Sequence, residues 1–198
     1  MAAQRHIQSH GGGGRHSDEA VLDAVRASVL AVGVRRTTLT DVSRRAGVSR
    51  MTLYRRWGDV DRLVRDLMTR EFHALFAGLA TAPHDRGELV AAVVAAVSAL
   101  RDEPVFARVL DVDPDLLWPY LTDRLGSTQR AAAALLATAL RTGQDGGWIR
   151  GGDPDRLAYA VLLLVQSYAV SARTVTEYLD GTALDAELTH ALDRYLAP

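Results

Sequence analysis

DVSRRAGVSRMTLYRRW, residues 41–57, contains two short apolar patterns separated by one glycine. Before the glycine, Leu39, Val42 and Ala46 are three and four positions apart, which is helical spacing. Gly47 ends this pattern because glycine accepts the left-handed conformation that closes many helices. The stretch therefore predicts a short helix, a tight turn and the start of a second helix.

The second pattern places Leu53 and Trp57 four positions apart, after Ser49 as a candidate N-cap. Helices of this length are marginal in water, so both must be braced by another part of the chain. Two short helices joined by such a turn and braced by a preceding helix form a helix-turn-helix, whose second helix enters the major groove of DNA. A plain helical hairpin with a solvated basic face is the alternative.

Thr38 and Asp41 form a T-x-x-D pattern ahead of the first short helix. Such a pair typically caps a helix, each side chain accepting a hydrogen bond from the other residue's backbone N–H. We therefore expect the first short helix to begin at Leu39 and the second, capped by Ser49, to begin at Arg50.

Composition restricts the class of protein. The 198 residues are 48% hydrophobic and 24% charged, which is typical of a globular chain. The absence of cysteine excludes disulfides, thiolate catalysis and cysteine-based zinc sites. The start of the chain lacks the apolar segment of a signal peptide, and the longest apolar run, residues 157–165, is too short to span a bilayer. We therefore expect a cytoplasmic protein without a membrane partner.

The charge is unevenly distributed, although the net charge is −1. Residues 1–72 hold 13 arginines and 8 acidic residues, whereas the remainder holds 10 arginines and 16 acidic residues. A basic amino-terminal part joined to an acidic body favours a polyanion as the partner of the basic part. Two independently solvated faces are the alternative.

The remaining sequence predicts helices throughout. Residues 1–16 are expected to be a disordered arm because of the glycines at 11–14, and His6 and His10 lack a third ligand, so no metal is assigned. Ser17 is a candidate N-cap for a first helix that Gly33 ends. Further helices are expected over about 59–80, 89–100, 121–140, 156–178 and 184–196, with a proline-punctuated region at 104–119. The fold class is all-α, with about nine helices and no alternating strand pattern.

The exposed positions of the second short helix suit DNA. Arg50 and Arg55 can each present a guanidinium to guanine O6 and N7, and Met51 can contact a thymine methyl group. Hydroxyl groups and a further arginine suit phosphate oxygens, which position a protein without reading sequence. The phosphate candidates are Thr38, Ser49, Thr52, Tyr54 and Arg56.

TTLTDVSRRAGVSRMTLYRRWGDVDRLV, residues 37–64, resembles the amino-terminal signature of the TetR family of bacterial transcriptional regulators. The resemblance lies in the T-x-x-D start, the A-G-V-S turn, the T-L-Y segment and the aromatic Trp57, and it covers roughly residues 17–68. Further on, GWIR and DPDRLA loosely resemble the family's entry into its dimerising helices.

The resemblance implies phosphate or sugar contacts for the hydroxyl residues named above and base contacts for Arg50, Met51 and Arg55. Members of the family commonly carry a phosphate-binding lysine at the start of the fourth helix. This chain instead has Val60 there, and Arg62 in the next turn is the candidate substitute. The family pattern also implies a helix-turn-helix DNA-binding domain at residues 17–66, followed by a helical ligand-binding and dimerisation domain at 67–198.

Residues 153–196 are the expected homodimer interface. The helix at 156–173 is apolar on nearly all sides, which requires burial in a large core or in one completed by a second subunit. The last helix carries an apolar stripe, and the two helices can form a four-helix bundle across a two-fold axis. The stripe consists of Leu184, Leu188, Ala191, Leu192 and Tyr195.

A ligand pocket is expected in the proline-broken region, where short helices can separate. Its candidate lining residues are Phe106, Leu110, Leu117, Trp118, Leu121 and Gln166, with Tyr120, Ser167 and Tyr168 nearby. The aromatic, largely uncharged set suits a hydrophobic ligand. The alternative is that these residues form ordinary core and that the domain only dimerises.

The sequence thus predicts a sequence-specific regulator, a repressor released from a palindromic operator by a small ligand, with the fourth helix as the lever. An architectural or ligand-independent DNA-binding protein is the alternative. No enzyme is expected, since the chain has no H-E-x-x-H or G-x-S-x-G motif and its histidines at 73, 84 and 190 stand far apart. No cofactor is expected either.

Overall fold

The computed structural model describes residues 13–76 and 83–198, and within these residues the chain is helical with no β-strand. The predicted all-α class is confirmed. The described part has ten α-helices when the five-residue α7 is included, which agrees with the predicted number of about nine. The helices are α1 (Gly13–Val32), α2 (Leu39–Ala46), α3 (Arg50–Trp57), α4 (Val60–Phe76), α5 (Arg86–Asp102), α6 (Pro104–Val112), α7 (Trp118–Thr122), α8 (Ser127–Asp145), α9 (Pro154–Val170) and α10 (Gly181–Leu196), with 3₁₀ turns at Pro114–Leu116 and Ala172–Thr174.

The chain divides into two compact units, Met1–Met68 and Thr69–Pro198. It passes from the first unit to the second within α4. Each unit has its own buried apolar residues.

The first unit is built on the apolar face of α1. The apolar residues of this face are three or four positions apart in the sequence. They pack with apolar side chains of the later helices of the first unit. The fully buried residues of this unit are Val21, Val25, Ser28, Val29, Val42, Leu53, Leu63 and Leu67.

Helix α1 begins at Gly13, four residues before the predicted start at Ser17. Glycine costs a helix about 1 kcal/mol per residue but does not forbid it, and extending an existing helix is far easier than nucleating one. The prediction that residues 13–16 lack regular structure is therefore wrong. Residues 1–12, with His6 and His10, lie outside the described part of the chain.

The second unit has a core formed by α5, α8, α9 and α10. Aspartates cap three of these helices: Asp85 caps α5, Asp153 caps α9 and Asp180 caps α10. Each aspartate side chain accepts a hydrogen bond from a backbone N–H group in the first turn of its helix. The largest fully buried side chains of this core are Leu89, Leu140, Leu188, Leu192 and Leu196.

Two helix boundaries of the second unit differ from the predictions. The helix expected over about 121–140 is interrupted between α7 and α8, where the Gly126 N–H donates to Gln129 Oε1 at 2.8 Å and fixes a new helix start. The helix expected from Arg156 to about residue 178 ends at Val170 and continues only as a 3₁₀ turn.

Helix α9 is also not buried all round within one chain. Leu157, Ala158 and Val161 are buried, whereas Tyr159 is 44% exposed and Leu163 is 65% exposed. No helix in the described ranges is long and apolar enough to cross a membrane.

The turn between α2 and α3 depends on Gly47. Its backbone is left-handed, with φ 67° and ψ 24°, and its N–H donates to the carbonyl of Ser43. A Cβ at this position would meet no atom within 4 Å, so a larger residue would be destabilising only because of the left-handed backbone and not because of a steric clash.

We expect Gly47→Ala to lower the free energy of unfolding by about 1–2 kcal/mol, the cost of a left-handed conformation for an L-residue. Urea unfolding followed by circular dichroism measures this change. Gly151→Ala is the matched control, because Gly151 has no such φ and a Cβ there also meets no atom within 4 Å. Equal stability of the two variants would contradict this interpretation of the turn.

Candidate nucleic-acid interface

Side-chain caps set the starts of both short helices, as predicted. The Asp41 N–H donates to Thr38 Oγ1 at 3.2 Å, so α2 begins at Leu39. The Thr52 N–H donates to Ser49 Oγ at 3.0 Å, so α3 begins at Arg50. The Ser49 and Thr52 hydroxyls are also hydrogen-bonded, at 2.8 Å. Both helix N-termini are therefore fixed by hydroxyl residues.

The reciprocal half of the predicted T-x-x-D cap is wrong, because the Asp41 carboxylate has other partners. It accepts hydrogen bonds from Ser28 Oγ at 2.8 Å, Arg44 at 2.5 Å and Arg45 at 2.6 Å. The bonds from Arg45, then Arg44 and Ser28, hold the pKa of Asp41 well below its ordinary value. Since Ser28 is fully buried in α1, its bond ties α2 to α1.

Helix α3 has a buried side and an exposed side. Leu53 and Trp57 point into the first unit and are buried, as their spacing predicts. The opposite side carries four adjacent exposed residues, of which Met51 is 71% and Tyr54 is 61% exposed. These four are Arg50, Met51, Tyr54 and Arg55. The structure thus brings the three predicted base-reading residues together on one exposed surface.

The predicted phosphate-binding residues are placed less uniformly. Thr38 and Ser49 are exposed at the N-termini of α2 and α3, where the helix dipole favours an anion, and Thr52 is half-buried beside Ser49. Arg56 is held differently: its guanidinium is hydrogen-bonded to the carboxylate of Asp18 in α1. It therefore does not extend freely from α3 with the others.

Two further exposed arginines of the first unit were not among the predicted contacts. Arg44 has a side chain that is 74% exposed although it pairs with Asp41, and Arg36 is exposed between α1 and α2. The only sequence signal for them was the positive charge of the amino-terminal part. Arg62, the suggested substitute for the family lysine, is exposed at the start of α4, where its N–H donates to Asp59 Oδ1 at 2.8 Å.

The predicted pocket residues all lie in the second unit. Phe106 is buried, Leu110, Leu117 and Leu121 are half-buried, and Trp118 is 65% exposed. The pocket itself stays a prediction.

Gln166 of α9 is linked to the α7–α8 region by a residue that the sequence analysis missed. Gln129 Nε2 donates to Gln166 Oε1 at 2.6 Å and to the Tyr120 carbonyl at 3.0 Å. No local pattern could identify the bond between Gln129 and Gln166, because the two residues are 37 positions apart. Among the described residues, no group of three or more His, Asp or Glu side chains could hold a metal ion.

Comparison with known proteins defines the class of this helix-turn-helix. The sequence profile of "Bacterial regulatory proteins, tetR family" matches residues 21–67. An HTH-type transcriptional regulator of Mycobacterium bovis is 40% identical over 176 residues, covering 89% of this chain and 92% of the relative. A Mycobacterium tuberculosis regulator is 39% identical over the same shares.

Solved structures show the same fold. SmeT in complex with triclosan has a TM-score of 0.68 at 20% identity, covering 92% of each chain. SmeT is the repressor of a multidrug efflux pump of Stenotrophomonas maltophilia. The matched family profile and the mycobacterial relatives define the class of this protein. It is a DNA-binding transcriptional regulator and not an enzyme. The chain belongs to the TetR family of bacterial regulators.

We expect Asp41→Asn to lower the melting temperature at about pH 7, because the ionised carboxylate accepts all three hydrogen bonds. The folded-state pKa is depressed, so this stabilisation is present above the ordinary carboxyl value and lost as the pH falls below it. The difference in melting temperature between wild type and variant should therefore shrink toward about pH 3. Asp145→Asn, an exposed carboxylate at the end of α8, is the control. A difference that is constant with pH would contradict the assigned role of the charge.

Proposed function

We propose that this TetR-family regulator is a repressor that binds a palindromic operator as a homodimer and leaves it when a small hydrophobic ligand binds. The observation that carries the proposal is the exposed surface of α3, on which Arg50, Met51, Tyr54 and Arg55 lie side by side. Because its target is chromosomal DNA, we place the regulator in the cytoplasm.

The proposed base contacts come from three side chains of α3. Arg50 and Arg55 are exposed and five positions apart, so each can direct its guanidinium to a different guanine. Met51, between them, offers an apolar surface to a thymine methyl group. Two arginine–guanine pairs give each half-site most of its discrimination, at about 1–3 kcal/mol per pair.

The proposed phosphate contacts come from hydroxyl residues. Thr38 and Ser49 sit at helix N-termini, where unpaired backbone N–H groups and the helix dipole attract a phosphate. Thr52 and Tyr54 add hydroxyls along α3. These contacts position the protein on DNA and carry no sequence information themselves.

The proposed dimer interface includes the exposed side of α9. Tyr159 and Leu163 are one helical turn apart, and both expose large apolar side chains in a single chain. Half-buried Val170 continues the same side of the helix without a charge. An apolar helix surface without charges suits a contact between two copies of the same surface across a two-fold axis. Helix α10 is proposed to complete the interface, which spans residues 153–196.

The proposed ligand site lies among Phe106, Leu110, Leu117, Trp118 and Leu121, with Gln166 as its polar group. The SmeT complex supports a site of this kind, because that protein holds triclosan in a fold like this one. The ligand weakens DNA binding only by the difference in its affinity for the two states of the protein. Helix α4, within which the chain passes between the units, is the element proposed to carry the signal.

Selection of bound sequences from a random DNA pool tests the proposed operator. We expect wild type to recover a palindrome whose half-sites lie about one helical turn, 34–36 Å, apart. We expect Arg50→Ala to relax one position per half-site, at a cost of about 1–3 kcal/mol, because one arginine fork is removed. Arg141→Ala, an exposed arginine of α8, is the control and should recover the wild-type sequence.

Recovery of no consensus by wild type would contradict sequence-specific regulation and favour an architectural DNA-binding protein. A consensus with unchanged preferences in Arg50→Ala would keep the regulator but remove Arg50 from its base contacts.

We expect Leu163→Glu to convert a dimer into a monomer, because the substitution places a charge in an interface centre that must be desolvated. Sedimentation velocity across a concentration series measures the change. Val112→Glu, an exposed apolar position at the end of α6, should leave the dimer intact. A Leu163→Glu variant that sediments as wild type would place the dimer interface elsewhere.

A further inference from the structure

Arg56 differs from its neighbour Arg55 in what surrounds it. Arg55 is exposed on the DNA-reading side of α3, whereas the Arg56 guanidinium is hydrogen-bonded to the Asp18 carboxylate. It also lies 5.2 Å from the centre of the Trp57 ring, within the range of a cation–π contact. The side chain is thus held both by α1 and by its own helix.

Trp57 extends this contact to α4. Its ring is buried, and its Nε1–H donates to Asp66 Oδ2 at 3.0 Å. Asp18, Arg56, Trp57 and Asp66 therefore form a continuous set of contacts across α1, α3 and α4, and we call this set the brace. The brace meets α3 at its last two residues, opposite the end that Ser49 caps.

We propose that Arg56 is a positioning residue, which fixes the angle of α3 through the brace, and not a phosphate contact. The proposal rests on the proposed sequence-specific DNA binding. Ser49 fixes the first turn of α3 and Leu53 packs beneath its middle, so without the brace the last turn can still pivot about these points. Pivoting would move Arg55 more than Arg50, because Arg55 is further from the cap. The brace prevents this and keeps both arginines aligned with their bases.

The charge of Asp18 distinguishes this role from a phosphate contact. If Arg56 bound phosphate, Asp18 would compete with DNA for the guanidinium, and removing its charge would tighten binding. If Arg56 positions α3, removing the Asp18 charge disrupts the brace and weakens binding. The two roles therefore predict opposite signs for the same substitution.

The experiment measures operator affinity against salt concentration for wild type, Asp18→Asn, Arg56→Gln and the double variant. We expect each single variant to bind about three- to fivefold more weakly, the scale of a partly exposed ion pair. The double variant should be no weaker than either single variant, because both remove the same interaction. The dependence of log affinity on log salt should keep the wild-type slope, whereas loss of one phosphate contact from each protomer of the dimer lowers it by about 1.8.

Asp61→Asn is the control, since it removes an exposed negative charge of the first unit outside the brace. Any general gain in affinity from a less acidic first unit appears in this variant and is subtracted from the Asp18→Asn result. Arg56→Lys, which keeps the charge opposite Asp18, should recover most of the lost affinity. All variants are compared at a temperature where circular dichroism shows them folded.

Tighter binding by Asp18→Asn than by Asp61→Asn, or a slope lower by about 1.8 in Arg56→Gln, would overturn the proposal. So would a double variant weaker than both singles. Failure of wild type to prefer any sequence would instead overturn the proposed function. The Trp57 indole N–H resonance tests the brace without DNA: Asp18→Asn and Arg56→Gln should shift it alike, and an unchanged resonance would also overturn the proposal.

Discussion

The hydrogen bond between Ser28 and Asp41 is the contact on which the DNA-reading part of the molecule depends. Helices α2 and α3 have eight residues each, too few to be stable alone, so their position must come from α1. Ser28 is fully buried, and its bond to Asp41 fixes the α2 side of this packing. Val42 and Leu53, both fully buried, supply the apolar contact beneath the two short helices. This buried packing supports α3 from beneath, and the brace holds its last turn, so that together they position the exposed arginines.

Local chemistry made much of the first unit predictable from sequence. Thr38, Ser49 and Gly47 act on the backbone within four residues of themselves, so their effects can be read from spacing alone. The partners of Asp41 and Arg56 could not be predicted in this way. Asp18 is 38 positions from Arg56, and only the packing of α3 on α1 brings the two side chains together.

The second unit was harder to predict for the same reason. Its helices are all rich in the same apolar residues. The sequence therefore shows which residues are apolar but not which of them stay exposed in a single chain. Leu163 and Leu162 are adjacent and alike in sequence, yet Leu162 is buried and Leu163 is exposed. The break before α8 depends on the Gln129 side chain, whose oxygen accepts the Gly126 N–H. The predicted pocket residues are spread over α6, the segment that follows it, α7 and α9, so their arrangement depends on packing that sequence periodicity does not determine.

The central claim is that α3 reads guanines in the major groove at two symmetric half-sites. Methylation interference on a bound DNA fragment tests it most directly, because methylation of guanine N7 blocks an arginine fork without altering the phosphates. The account predicts that methylation abolishes binding at a few guanines in each of two half-sites, with their centres about 10 base pairs apart. Binding that is equally insensitive to methylation at every guanine would show that α3 does not read the major groove, and would contradict the account.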